Sequence, residues 1–304
     1  MSVDPRAVRA VLPAFDEADN LAEVVPELVA VLDATFARWE VVVVDDGSTD
    51  DTRAVLDRLT VAHPGVRAIH LRRNRGKSAA LRAGLADLDT DLVVLMDADG
   101  QDDPAALPQL LSALDGDVDL VTGRRRDRQD RVVKRVTSRL YNRATARLTG
   151  VAGEDFNSGL KLLTAEVAES VELYGELHRY LPVLAAWSGF TCTEADVNHR
   201  ERRHGRSKFG RNRFWRGLLD LVTVKFLTTY DARPFHLIGG TGLAVGAVGA
   251  GLLAWMVVLR VLGETVGDRP ALLAGITLCV VGVQLVSVGL LAELIVALHR
   301  RRRD

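Results

Sequence analysis

Apolar residues along this chain fall into two regimes that meet near Arg233. Before that point, short apolar runs alternate with longer stretches in which apolar positions recur every three or four residues. Val8–Leu12, Val41–Val44, Val66–Leu71 and Leu92–Met96 are the short runs, with Val118–Thr122 as a fifth. The helical pattern fills the gaps at Leu21–Phe36, Thr52–Val61, Lys77–Leu88 and Ala105–Leu114. Strands and helices in alternation predict an α/β fold with a mostly parallel, doubly wound sheet. Ligands of such a sheet bind outside the carboxyl ends of its strands.

After Arg233 the pattern changes to two long apolar runs, His236–Leu262 and Ala271–Leu298. Each is long enough to cross a hydrocarbon layer of about 30 Å as a helix. The eight residues Gly263–Pro270 join them into a transmembrane hairpin. Arg211, Arg213, Arg216, Lys225 and Arg233 precede the hairpin and Arg300–Arg303 follow it. The positive-inside rule then places both termini in the cytoplasm, at the inner membrane. Gly242, Gly246 and Ala250 repeat every four residues in the first span, with Gly239 and Gly249 nearby. That face suits close packing within the hairpin or self-association between protomers. Glu293 lies near the cytoplasmic end of the second span, where it snorkels, pairs with a basic neighbour or meets a lipid headgroup. Residues Arg211–Tyr230 read as an amphipathic helix lying in the membrane interface, or packed on the preceding domain. The expected organisation is a cytosolic domain over residues 1–210, the interfacial helix over 211–234, and the hairpin with a basic tail over 235–304.

Composition narrows the classes further. The 304 residues carry a net charge of −1, so no global basic field recruits nucleic acid. Cys192 and Cys279 fall on opposite sides of the compositional divide, which argues against a disulfide framework or a zinc site. The first apolar stretch, Val8–Leu12, is too short and interrupted for a signal peptide.

Candidate chemistry gathers where the short runs end. The first leads into Pro13-Ala14-Phe15-Asp16-Glu17, the second into Asp45-Asp46-Gly47-Ser48 and the third into Asn74-Arg75-Gly76-Lys77-Ser78. An aspartate there can accept from a nucleobase imide or a ribose hydroxyl, or it can simply shape a turn, with Ser48 or Thr49 capping the next helix. Gly76 and Lys77 open a helix whose N–H groups and ammonium suit a diphosphate. Leu71 stands where a Walker A loop needs glycine, which rejects a P-loop. The fourth run ends in Asp97-Ala98-Asp99-Gly100-Gln101. Two acids and an amide there supply the oxygen ligands of Mg²⁺ or Mn²⁺, with phosphate oxygens completing the shell; alone, the same acids would be a solvated turn.

Together these motifs resemble the family 2 glycosyltransferases of the GT-A fold. More narrowly, the whole chain resembles polyprenyl-phosphate glycosyltransferases, the group that includes dolichol-phosphate mannose synthase and bacterial polyprenyl-phosphate glucosyltransferases. The resemblance implies that Pro13, Ala14, Phe15, Glu17 and Asp46 bind the nucleotide, and that Asp97, Asp99 and Gln101 hold the metal and diphosphate. Gly100 and Asp102 stand where the family often has leucine and histidine, which adds a nearby acid. Arg125, Lys134 and Ser138 match the acceptor-phosphate positions, chemistry that suits a membrane-borne anion. Without the resemblance, that basic run would read as a solvated surface or an anionic-lipid anchor. Asp155 falls in a loop facing the sugar, and a structural turn fits it too. His199, Arg202, Ser207 and Lys208 match a segment that closes over the donor. The implied reaction is inverting, metal-dependent transfer of a hexose, UDP-glucose first and GDP-mannose second, to polyprenyl phosphate. A processive polysaccharide synthase would need a Gln-x-x-Arg-Trp segment, which is absent. An inactive nucleotide-sugar-binding scaffold is opposed by the intact acid turn.

Overall fold

The computed structural model describes residues 3–125, 142–198, 200, 204, 223, 234–267 and 269–300. It divides into two compact units, Met1–Val224 and Lys225–Asp304. The predicted interfacial helix lies almost wholly outside the described residues.

The first unit is built on one sheet of seven strands: β1 (Asp4–Ala14), β2 (Phe36–Asp45), β3 (Val66–His70), β4 (Leu92–Leu95), β5 (Leu120–Arg125), β6 (Lys161–Thr164) and β7 (Cys192–Val197). Their order is β3-β2-β1-β4-β6-β5-β7. Every neighbouring pair is parallel except those made by β6, which runs antiparallel to β4 and β5. The Val8, Val11, Leu12, Val41–Val44 and Leu92–Val94 side chains are essentially unexposed. Both sheet faces are therefore covered, which is why the strands read as continuous apolar runs rather than alternating ones.

Four helices sit in the predicted gaps: α1 (Ala18–Thr35), α2 (Thr52–Ala62), α3 (Lys77–Gly84) and α4 (Leu107–Ala113), the last preceded by a 3₁₀ turn at Pro104–Ala106. α3 stops four residues short of the predicted Leu88 for a steric and an electrostatic reason. A Cβ on Gly84 would stand 2.4 Å from Val11 Cγ1, so the helix end lies flush on the sheet. Just beyond it, the buried Arg9 guanidinium claims the carbonyls of Ala86 (2.8 Å) and Asp87 (3.1 Å), while Glu40 balances its charge. The fifth strand begins two residues later than predicted and runs on to Arg125, so Arg124 and Arg125 are strand residues.

In the second unit, helices Pro234–Val261 and Pro270–Arg300 are long and apolar enough to cross a membrane. Val257, Val261, Leu273, Val283 and Leu291 are exposed on them, unlike the apolar face of a soluble core helix. The glycines meet across the hairpin. A Cβ on Gly282 would lie 2.7 Å from Gly246 Cα and 2.8 Å from the Gly242 carbonyl, and one on Gly249 2.7 Å from Cys279 N. Of the two packings predicted for the small-residue face, the one within the hairpin is observed at Gly242, Gly246 and Gly249, while Ala250 stays exposed. Glu293 accepts from the Phe235 N–H at 3.2 Å. It satisfies an orphan donor in the first turn of the partner helix, where a carboxylate also meets the favourable end of the helix dipole.

Backbone contact at Gly282 leaves no room for a side chain, whereas Gly251 has nothing within 4 Å. Gly282→Val should therefore lower the melting temperature in detergent, with overpacking costing about 1–3 kcal/mol, and Gly251→Val should not. Equal melting of the two variants would refute the intramolecular glycine contact.

Candidate active site

Three strand-end loops are knitted together by buried carboxylates. Asp45 closes β2; its Oδ1 accepts from the Ser48 N–H (2.8 Å) and its Oδ2 faces His70 Nδ1 (3.0 Å). Burial works against its ionisation, but these partners hold its carboxyl below the usual range. Asp46 accepts from the N–H groups of Arg75 (2.7 Å) and Gly76 (2.8 Å), one on each oxygen. Gly47 has φ +72°, and a Cβ there would lie 2.5 Å from the Arg73 carbonyl carbon. Glycine is thus required at this position both by backbone conformation and by the loop crossing it. From the other side, Asp16 accepts from the Thr49 N–H (2.7 Å) and donates its own N–H to Ser48 Oγ (2.9 Å). Glu17 donates its N–H to Thr52 Oγ1 (3.1 Å) and accepts from Asn20 Nδ2 (2.6 Å). Ser48 and Thr49 therefore do not cap α2, as one reading of the sequence had them; they tie the second loop to the first.

Asp46, the acid expected at the nucleotide, shapes the loop that delivers Gly76 and Lys77. Pro13, Phe15 and Glu17 remain half-buried at the carboxyl edge beside it, and Ala14 is buried.

The acid turn follows β4. Lys77, the first residue of α3, pairs through its ammonium with Asp97 Oδ1. The Asp97 N–H donates to Asp102 Oδ2 (3.1 Å), and the Gln101 N–H to Asp99 Oδ1 (3.2 Å). Gly159 is pressed against this turn: a Cβ on it would stand 2.5 Å from Asp102 Oδ2 and 2.7 Å from Asp97 Cγ. Burial opposes the Asp97 charge, yet Lys77, with Lys161 and Arg125, holds its carboxyl below the ordinary value. Asp102 has the opposite fate. Burial, reinforced by the neighbouring Asp97 charge, pushes it up to about 7. Lys161 is brought down to about 8, first by burial and then by the like charge of Lys77.

Arg125, at the end of β5, forms a buried two-point pair with Asp155: Nε to Oδ2 at 2.7 Å and Nη2 to Oδ1 at 2.9 Å. Glu194 on β7 fixes the loop that carries Asp155, accepting from the N–H groups of Glu154 (2.8 Å) and Asp155 (2.9 Å). Beyond β7, Arg200 reaches back to the acid turn. Its N–H donates to the Gln101 carbonyl (3.0 Å), and its guanidinium pairs with Glu27 (2.5 Å) and Asp103 (2.8 Å).

The structure thus gathers Asp97, Asp99, Gln101, Lys77, Arg125 and Asp155 at the ends of β4 and β5, with Gly76 at the start of α3. Lys134, Ser138, His199, Arg202, Ser207 and Lys208 lie outside the described residues. Sequence reasoning passed over Gly159, Lys161, Glu194 and Arg200. Gly159 follows Asp155-Phe156-Asn157-Ser158 in the loop after Asp155, and nothing in spacing shows that it abuts the acids.

No trio of His, Cys, Asp or Glu side chains forms a self-sufficient metal cage among the described residues. Asp97 and Asp99 nevertheless fit a hard divalent ion, which takes one or two carboxylates and completes its shell with substrate oxygens and water. Asp97 already draws a cation, the Lys77 ammonium, onto one of its oxygens.

Comparison with known proteins places this geometry in a context. The profile of Glycosyl transferase family 2 matches residues 10–170. Dodecaprenyl-phosphate galacturonate synthase of Rhizobium johnstonii is 36% identical, with 96% of this chain and 88% of that protein covered. Undecaprenyl-phosphate 4-deoxy-4-formamido-L-arabinose transferase of Edwardsiella ictaluri is 34% identical, with 95% and 88% covered. Among solved structures, the mannosyltransferase PcManGT of Pyrobaculum calidifontis, in complex with GDP-Man and Mn²⁺, has a TM-score of 0.56 at 20% identity, covering 97% of this chain and 89% of that one. Glucosyl-3-phosphoglycerate synthase of Mycobacterium tuberculosis, with Mn²⁺ and UDP-glucose, has a TM-score of 0.54 at 21% identity, covering 73% and 79%. At these identities the structural likeness is one of fold.

Asp155→Ala would strand the Arg125 guanidinium in a site where it is only 16% exposed. The expected loss is about 3–5 kcal/mol in chemical denaturation, much of it recovered when Arg125→Leu is added, because the double variant leaves no unpaired charge. A single variant as stable as the parent would show that the pair carries no such weight.

Proposed function

The chain belongs to glycosyl transferase family 2, and from that premise we propose that it transfers a sugar from a nucleoside diphosphate to the phosphate of a membrane polyprenol. The observation that carries this reading is the meeting of an acid turn, Asp97 to Gln101, with Lys77 and with the Arg125–Asp155 pair at the ends of β4 and β5, the two strands that flank β6. One cluster offers a seat for a metal-bound diphosphate, the other a cation for a second phosphate. The whole-length relatives act on dodecaprenyl and undecaprenyl phosphate, which supports the same acceptor class.

In this reading Pro13, Ala14, Phe15, Glu17 and Asp46 line the nucleotide side, and Asp46 also holds the loop that carries Gly76. Asp97, Asp99 and Gln101 would hold Mg²⁺ or Mn²⁺, which when bound supplies positive charge for the departing diphosphate. Lys77 brings a further positive charge to the same carboxylate, at the N-terminus of α3 where Gly76 and its neighbours present N–H groups. Asp155, and Arg202, Ser207 and Lys208 from the basic strip, complete the donor side. Arg125, Lys134 and Ser138 orient the acceptor phosphate. Arg125 uses Nε and Nη2 on Asp155, which leaves Nη1 for the acceptor. A phosphomonoester is already anionic near neutral pH, so its oxygen attacks without a general base. Direct displacement at the anomeric carbon inverts it.

The basic residues flanking the hairpin favour an inner-membrane protein with the catalytic unit and both termini in the cytoplasm. For the donor, resemblance of the acceptor segment and hairpin favours UDP-glucose, then GDP-mannose. The relatives carry galacturonate and 4-deoxy-4-formamido-L-arabinose, so a discriminating panel includes nucleotide forms of all four sugars.

The test is radiolabelled transfer from that panel into an organic-extractable lipid, using the full chain in detergent with undecaprenyl phosphate and Mg²⁺ or Mn²⁺. One donor should label the lipid. Asp99→Ala should lower turnover roughly a hundredfold or more. Arg125→Lys, which keeps a charge against Asp155 but loses the fork, should raise KM for the lipid about tenfold. Absence of labelled lipid with every donor and both metals would end this reading.

A further inference from the structure

Lys161 has no part in the reading above, yet it is the most enclosed cation beside the acid turn. It sits on β6, in register with Leu95 at the end of β4 and with Thr122 on β5. Only 3% of it is exposed. Its ammonium donates to the Ser158 carbonyl, one residue before the glycine that presses on Asp97 and Asp102. An ammonium has three donors. The Ser158 carbonyl is the one acceptor it meets among the described residues. What otherwise surrounds it is charge: Asp97, Asp155 and Asp102, with Lys77 as the like charge.

Packing alone does not call for a lysine here. A methionine would fill the same space between two buried strands without the cost of desolvating a cation. The position therefore needs an electrostatic account. Among the acids it faces, Asp97 is the one that a bound divalent ion would share.

We infer that Lys161 is a positioning residue that sets the cation affinity of the acid turn, its fixed positive charge weakening the hold of Asp97 and Asp99 on a divalent ion so that the ion can leave with the nucleoside diphosphate. This rests on the reading that Asp97, Asp99 and Gln101 hold a metal. Coulomb attraction between a carboxylate pair and a divalent ion is offset by any unit charge held nearby, and in a poorly solvated site one such charge is worth about tenfold in binding.

The experiment is Mn²⁺ binding to the full chain in detergent micelles, with no donor present, followed by the electron paramagnetic resonance signal of free Mn²⁺. Lys161→Met should bind Mn²⁺ about tenfold more tightly than the parent, whereas Lys161→Arg should stay within about threefold of it. A role in packing alone would leave affinity unchanged or weaken it, so equal or weaker binding by folded Lys161→Met overturns the inference. Should Lys161→Met not fold, Lys161→Met with Asp102→Asn replaces it, because the pair removes a cation and an acid together. That double variant should fold and bind Mn²⁺ within about threefold of the parent; if it too fails to fold, Lys161 is a structural residue and the inference falls. A parent protein that binds no Mn²⁺ removes the metal reading itself, a result distinct from unchanged affinity in the variant.

Discussion

Acids crowded at one edge of a sheet are the constraint on which this structure depends. Asp45, Asp46, Asp97 and Asp102 follow the ends of β2 and β4, and Asp155 meets the end of β5. Each is buried or partly so, and each has a different counterweight. Asp45 takes an N–H and an imidazole, Asp46 two backbone N–H groups, Asp97 an ammonium, and Asp155 a guanidinium fork. Asp102 accepts only the Asp97 N–H among the described residues, and its charge is disfavoured. The pairings also do mechanical work. Because the partners come from other loops, satisfying the acids fixes where α3 begins, how the loop before β6 lies, and which cations face the cleft.

The parallel half of the fold was readable because a strand covered on both faces is a continuous apolar run. β1 to β4 announce themselves in this way. β6 and β7 do not: Lys161-Leu162-Leu163-Thr164 is short and opens on a charge, and Cys192-Thr193-Glu194-Ala195-Asp196-Val197 is half polar. Lys161 lies beside the acid turn, Glu194 ties down the loop that carries Asp155 and Asp196 pairs with Arg124, so the residues that break the apolar pattern each have a polar partner to meet. The acid turn was legible as a cluster of acids at a strand end. Asp46 was legible only as an acid at a strand end, because spacing does not say whether a carboxylate will meet a ligand or a backbone N–H. The roles of Gly159 and Arg200 depend on contacts between segments far apart in sequence, and no local pattern encodes them.

The same limit applies to the hairpin. A glycine every fourth residue states that two helices approach closely, not which two. Gly282 and Gly275 on the second helix, facing Gly242, Gly246 and Gly249 on the first, supply the contact within the chain. Glu293, an acid in an apolar span, follows from the geometry: Pro234 contributes no N–H at the helix start, and the next one, Phe235, is met by that carboxylate.

Arg125 shows how structural and chemical demands meet in one side chain. A free arginine on a surface would lose rotamer freedom on gripping a phosphate. Here Asp155 has already fixed the guanidinium plane, and Glu194 has fixed the loop behind Asp155. The ordering cost is thus met on folding, and an incoming anion meets a cation that needs no rearrangement. The pairing also limits the grip, since two of the guanidinium's donors face inward and an acceptor phosphate must draw its remaining hydrogen bonds from other residues. For the proposed acceptor phosphate, which must first attack and then leave carrying a sugar, a site built this way would orient the anion without holding it tightly.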